Sequence, residues 1–273
     1  MLTTKLKKLQ YLALAIFLAF GFAACSDDDD GTTNGTDNGN GGENGANMAQ
    51  AFVMFESNVD GEPLQFYEAY TNRLGHSYTI EEVQFYISDV AMLNANGDTI
   101  PIKEVELMNL DVNFEIEANL EPGNYRELII GFGLNPDQNA QDPSSFPNDH
   151  PLSIRTNMYW SWQDGYIFTK IDGKRTPEAG DEIVPNETMF YHTGLDDLYR
   201  KISLPIELDA QAGATHELVF DFNMQDLFDK VHEIELSERF GTHTTGSERA
   251  FELAEDVTEN FVEGMKAGFS VRK

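Results

Sequence analysis

Short alternating apolar runs, closely spaced turn signals and one late helical stripe predict a mainly β protein: an antiparallel β-sandwich with a C-terminal amphipathic helix. The runs begin at Ala51–Phe55 and Leu64–Tyr70, then Tyr78–Met92, Thr99–Leu110, Asn113–Ile116 and Tyr125–Phe132. They continue at Met158–Trp162, Tyr166–Ile171, Thr188–His192, Lys201–Leu208 and Glu217–Phe222. Asp60-Gly61, Asn96-Gly97-Asp98, Pro122-Gly123, Asp172-Gly173 and Ala212-Gly213 read as the turns between them. The helical stripe is Ala250, Ala254, Val257, Phe261 and Met265, preceded by Ser247 as N-cap and Glu248 in the first turn, with Gly268 to end it. A shorter helix is expected from Met224 to about Glu233. No period of repeat length is visible.

Ahead of this domain the chain reads differently. Lys5, Lys7 and Lys8 precede an apolar stretch from Tyr11 to Phe22 that is short for a membrane span, and Phe22-Ala23-Ala24-Cys25 follows. This pattern predicts a lipoprotein signal peptide over residues 1–24 and lipidation of Cys25, the only cysteine. With that thiol used, neither a disulfide framework nor a thiolate metal site or nucleophile is left downstream. Ser26-Asp27-Asp28-Asp29-Asp30 resembles the acidic export signal of Bacteroidota lipoproteins, which implies an outer-membrane lipoprotein at the cell surface, or otherwise on the periplasmic face. From Cys25 to Gln50 the acidic, Gly- and Asn-rich composition predicts a flexible tether, and residues 51–273 a single domain.

The chain has 47 acidic and 18 basic residues and a formal charge of −29. That excludes a basic nucleic-acid footprint and argues against adsorption to anionic lipid, so membrane attachment falls to the lipid. An acidic surface also concentrates cations.

Within the domain, Met158–Gly173 is the most informative stretch. Both tryptophans lie there, at Trp160 and Trp162, before the turn chemistry of Gln163-Asp164-Gly165. The spacing predicts strand, tight turn, strand, with both indoles on one face. A plain aromatic core accounts for such a segment as well. Upstream, Asn135–Asn157 is a long proline-containing loop, and loops of that length in a compact domain are usually functional or disordered. Its Asp137, Asn139 and Asp142 lack calcium-loop spacing and read as a polar loop.

Four blocks, in order, carry a resemblance: Tyr86-Ile87-Ser88-Asp89-Val90; Gly123-Asn124-Tyr125 with Ile130–Asn135 and Asn139; the tryptophan segment; and Phe190-Tyr191-His192-Thr193-Gly194. Together they resemble the MbnP-like family of secreted copper-binding proteins, named for a member encoded with methanobactin genes, over about Ala51 to Leu208. The resemblance implies copper as ligand. It also implies a tryptophan oxidised to kynurenine at the copper site, Trp160 or Trp162 here, with a di-haem peroxidase-type partner as oxidant. The family's usual Gly-Ala-Leu-Asp-Pro approach to the motif is replaced by His150-Pro151-Leu152-Ser153.

Six histidines are present, none at a local metal-binding spacing, so a site must be assembled from distant parts of the chain. Copper(II) favours imidazole and oxygen donors. His192, in a matched block near a strand end, is the first candidate ligand, His150 the second and His243 the third; His76, His216 and His232 read as structural or surface residues. No nucleophile elbow, zinc-protease motif or phosphate loop is present, and no residue is assigned to catalysis. The expected function is copper acquisition or handling without enzymatic activity. The rival is a cell-surface module that binds glycan or protein through the tryptophan hairpin. Copper binding requires at least two histidines near one tryptophan, whereas the rival requires an exposed indole in a groove and no converging histidines.

Overall fold

A computed structural model describes residues 48–272 apart from 113, 163, 164, 182 and 183. The leader, Cys25 and the tether lie outside the described residues, as do Gln163 and Asp164 of the expected turn. The first sheet contains β1 (Ala49–Val59), β2 (Glu62–Pro63), β6 (Glu115–Leu120), β12 (Thr215–Asn223) and β14 (Phe269–Arg272). The second contains β3 (Tyr70–Thr71), β4 (Ser77–Asn94), β5 (Thr99–Asn109), β7 (Gly123–Phe132), β9 (Gly165–Arg175), β10 (Glu187–Gly194), β11 (Arg200–Ala210) and β13 (Gly241–Thr242). β8 (Tyr159–Trp160) pairs with β9.

The two sheets pack into the expected sandwich, and both are mixed rather than purely antiparallel. β1 runs parallel to β12 over nine residue pairs, and β10 runs parallel to β13 over two. Between the sheets lies an aromatic core. Phe55 stacks on Phe220 with ring centroids 5.1 Å apart, and Phe85 and Phe132 meet Phe261 edge-on. Phe261 belongs to α3 (Glu248–Ala267), whose ends follow the sequence: the Ser247 side chain accepts from Ala250 N–H, and Gly268 is the C-cap. No described helix is long and apolar enough to cross a membrane.

Three expectations change. Leu64–Tyr70 does not extend as a strand: Tyr67 adopts φ 69° and interrupts the run, leaving only β2 and β3 at its ends. The helix after Met224 is a single turn, α2 (Asp226–Asp229). Asp172-Gly173 is not a turn but lies within β9. Gly173 is needed there for close packing, since a Cβ would lie 2.0 Å from the carbonyl oxygen of Thr79 on β4.

The long loop before the tryptophans is ordered by short helical turns. α1 (Pro136–Asn139) has a capping box between Asn135 and Gln138. Asn139 then reaches the hairpin: its Oδ1 accepts from Tyr166 N–H at 2.9 Å, and its Nδ2 donates to Asp196 at 2.8 Å. Asp142 caps the next turn.

Candidate metal centre

The register of three strands places the site. Glu82 on β4, Asp172 on β9 and Phe190 on β10 are cross-strand neighbours; Gln84, Lys170 and His192 form the adjoining rung. Cross-strand neighbours share a face, as do residues two apart. Beyond β10 the parallel ladder pairs Phe190 with Gly241 and Tyr191 with Thr242. The next residues along the two segments are His192 and His243. Their rings lie 4.9 Å apart, centroid to centroid.

Two local devices hold His243 in that place. Gly241 gives Phe190 room, because a Cβ there would lie 2.4 Å from its ring. Thr244, fully buried, clamps the segment to β10: its hydroxyl donates to the His192 carbonyl and accepts from Gly194 N–H, each at 3.1 Å. Thr244 holds φ 68°, an outlier for a β-branched residue, and strain of this kind gathers at functional sites.

The two tryptophans separate. β8 is only two residues long, so Trp162 lies past its end instead of sharing a strand face with Trp160. Trp160 is 4% exposed and Trp162 61%, with 5.8 Å between their rings. Trp162 stands edge-on to His243 at 6.2 Å, and Phe190 packs against His243 at 4.7 Å. Gly194 makes the floor possible: a Cβ there would lie 2.3 Å from the Tyr166 carbonyl oxygen and 2.7 Å from the Trp160 ring. In the Phe190–Gly194 block, therefore, Phe190 backs His243, His192 faces it and Gly194 admits Trp160.

The histidines differ in their bonding. His192 shares a 2.8 Å hydrogen bond between Nε2 and Asp172 Oδ1. His243 has no ring hydrogen bond among the described residues. Desolvation, joined by repulsion from His192, holds its pKa below the ordinary value against the pull of Asp172, which favours the neutral, metal-binding form. The Asp172 carboxyl feels desolvation most, which pushes it up; the His192 bond and Lys170 outweigh this and keep it below the usual range.

His150 does not join the pair through any ring contact among the described residues. It stacks on Phe146 at 4.2 Å, and its Nδ1 accepts from Leu152 N–H. His76 is buried and bonded to Glu235, His232 lies between Asp256 and Glu259, and His216 is buried in β12. Among the described residues no group of three or more His, Cys, Asp or Glu is arranged around a metal position. The candidate centre is thus two imidazoles beside an indole. Asp172 and Thr244 escaped the sequence reading: the first resembled a turn, and the second carries its signal in a backbone angle.

This architecture is shared. The MbnP family pattern matches residues 49–245. Among solved structures, MbnP from Methylosinus trichosporium has the same fold, at 16% identity and a TM-score of 0.52, covering 82% of this chain and 98% of that one. Among curated proteins no relative matches. The chain belongs to the MbnP family, whose members are copper-binding proteins associated with methanobactin.

Proposed function

We propose that this protein binds copper between His192 and His243, beside Trp162, and acts in copper acquisition or handling outside the cytoplasm as a Cys25-lipidated protein of the outer membrane. The observation that carries the reading is the convergence of two imidazoles, 4.9 Å apart, from strands distant in the chain. Imidazole suits copper, and both rings have a nitrogen free to bind. Two donors leave the set short, and the neighbouring group is Trp162. Its exposure makes it the indole open to oxidation by a di-haem peroxidase-type partner, whereas Trp160 is packed into the floor. As kynurenine, residue 162 would present a carbonyl and an aniline nitrogen where indole offers neither.

Native mass spectrometry of the mature protein from its own host, grown with copper, tests this. Bound copper together with a kynurenine mass shift at residue 162 is expected. An unmodified chain that takes up no copper would overturn the reading. The exposed indole of Trp162 favours one alternative, a surface module binding glycan or protein. That alternative predicts saccharide or protein binding lost in Trp162→Ala and kept in His192→Ala.

A further inference from the structure

We propose that Asp172 is a positioning residue that fixes which nitrogen of His192 faces the metal. The inference rests on the copper reading and adds a specific role for a residue outside the ligand pair.

The Nε2 of His192 lies 2.8 Å from Asp172 Oδ1, and an ionised carboxylate only accepts hydrogen bonds. Nε2 therefore carries the proton and donates it. A nitrogen that donates cannot also be a ligand, so Nδ1 is left with the lone pair. Carboxylate–imidazole pairs of this kind set the tautomer, hold the ring plane and raise the basicity of the ligating nitrogen.

Asp172 is itself braced. Lys170 Nζ lies 3.6 Å from Asp172 Oδ2 and 2.5 Å from Glu82 Oε2. These side chains come from neighbouring rungs of β4, β9 and β10, so the relay Glu82–Lys170–Asp172–His192 spans three strands. Both Asp172 oxygens have partners, which hinders rotation of the carboxylate away from the ring. The ammonium of Lys170, directly opposite His192 in register, is neutralised by the two carboxylates and so does not oppose a cation at the pair.

His243 has no such brace and is held by Phe190, Trp162 and the backbone clamp at Thr244. The centre is thus asymmetric. One imidazole is locked by a carboxylate and presents Nδ1; the other is held by packing alone and can choose its nitrogen.

The test begins on the metal-free protein. Nitrogen-15 NMR of the imidazoles is expected to show His192 as the Nε2–H tautomer, and Asp172→Ala to remove that preference. Asp172→Asn turns its amide oxygen to the Lys170 ammonium and its N–H groups to the His192 ring, so it is expected to shift the ring proton to Nδ1 and give the opposite tautomer. With Cu(II) added, Asp172→Ala is expected to lose about 10- to 100-fold in affinity and to change the electron paramagnetic resonance spectrum, and Asp172→Asn to recover neither. Thermal melting of each variant separates these effects from misfolding. An Nδ1–H tautomer in the unsubstituted protein overturns the inference, as do an unchanged spectrum and affinity in a folded Asp172→Ala. If the unsubstituted protein binds no copper, the copper reading fails, and the tautomer measurement still decides whether Asp172 sets the ring.

Discussion

Trp160 and Trp162 are separated by one serine and belong to different regions of the molecule. Beneath Trp160 is a closed floor of Tyr86, Leu134, Leu152, Met158, Tyr166 and Phe168, all buried. Its polar atoms are satisfied: the Tyr86 hydroxyl donates to the Pro151 carbonyl and the Tyr166 hydroxyl to that of Leu152. Around Trp162 is an open rim with two imidazoles, an exposed ring and ring nitrogens free to bind. The floor has nothing left to offer a ligand, whereas Trp162 leaves most of its ring in solvent. If residue 162 serves the site as proposed, chemistry and stability are divided between adjacent positions, and the division can be measured.

The largest effect is expected from the floor. Trp160→Ala removes a buried ring and is predicted to cost about 3–5 kcal/mol, seen as a fall in Tm on the order of 10 °C. Gly194→Ala attacks the same floor from the opposite side by overpacking. It is expected to cost about 1–3 kcal/mol by denaturant titration, because the new methyl meets a backbone carbonyl as well as the Trp160 ring. Alkali provides a third probe. Burial pushes the phenols of Tyr86 and Tyr166 above their ordinary value near 10. A group whose folded pKa is raised contributes stability that is intact below its unfolded value and is lost as pH rises through the folded one. Phenolate absorbance from the floor is therefore expected to rise together with unfolding above about pH 10. Phenolate formation in a chain that remains folded would show that the floor is open.

The smallest effect on stability is expected at the rim. Trp162→Phe is predicted to stay within about 0.5 kcal/mol of the parent by chemical denaturation. Its copper complex is expected to lose affinity, read by competition with a colorimetric chelator. A Trp162→Phe protein that melted as early as Trp160→Ala would erase the distinction between the two regions.

Much of this was legible in the residues. The late helix could be read because its cap, stripe and terminating glycine are local signals, and each is found in α3. The strands could be read because alternation is local, although β1 and β9 run well beyond their apolar cores and β8 falls short of its own. The pairing could not be read. Nothing in Phe52–Phe55 announces a parallel partner at Glu217–Phe220, and β14 is a four-residue strand that only its partner β12 defines. The site was legible in parts: His192, His243 and Trp162 were candidates from the outset, while their meeting depends on the two-residue ladder between β10 and β13. Asp172 was hidden because Asp-Gly usually marks a turn, and here β4 approaches so closely that only glycine fits.

That two-residue ladder has a consequence for assembly. His192 and His243 are joined by a long excursion of chain through β11, β12 and α2, and only the docking of β13 against β10 brings them together. A partly folded chain carries both histidines but no pair. On the proposed reading, capture at this centre would be reserved for the finished molecule, and a cation held there would fasten shut one of the shortest seams in the sandwich.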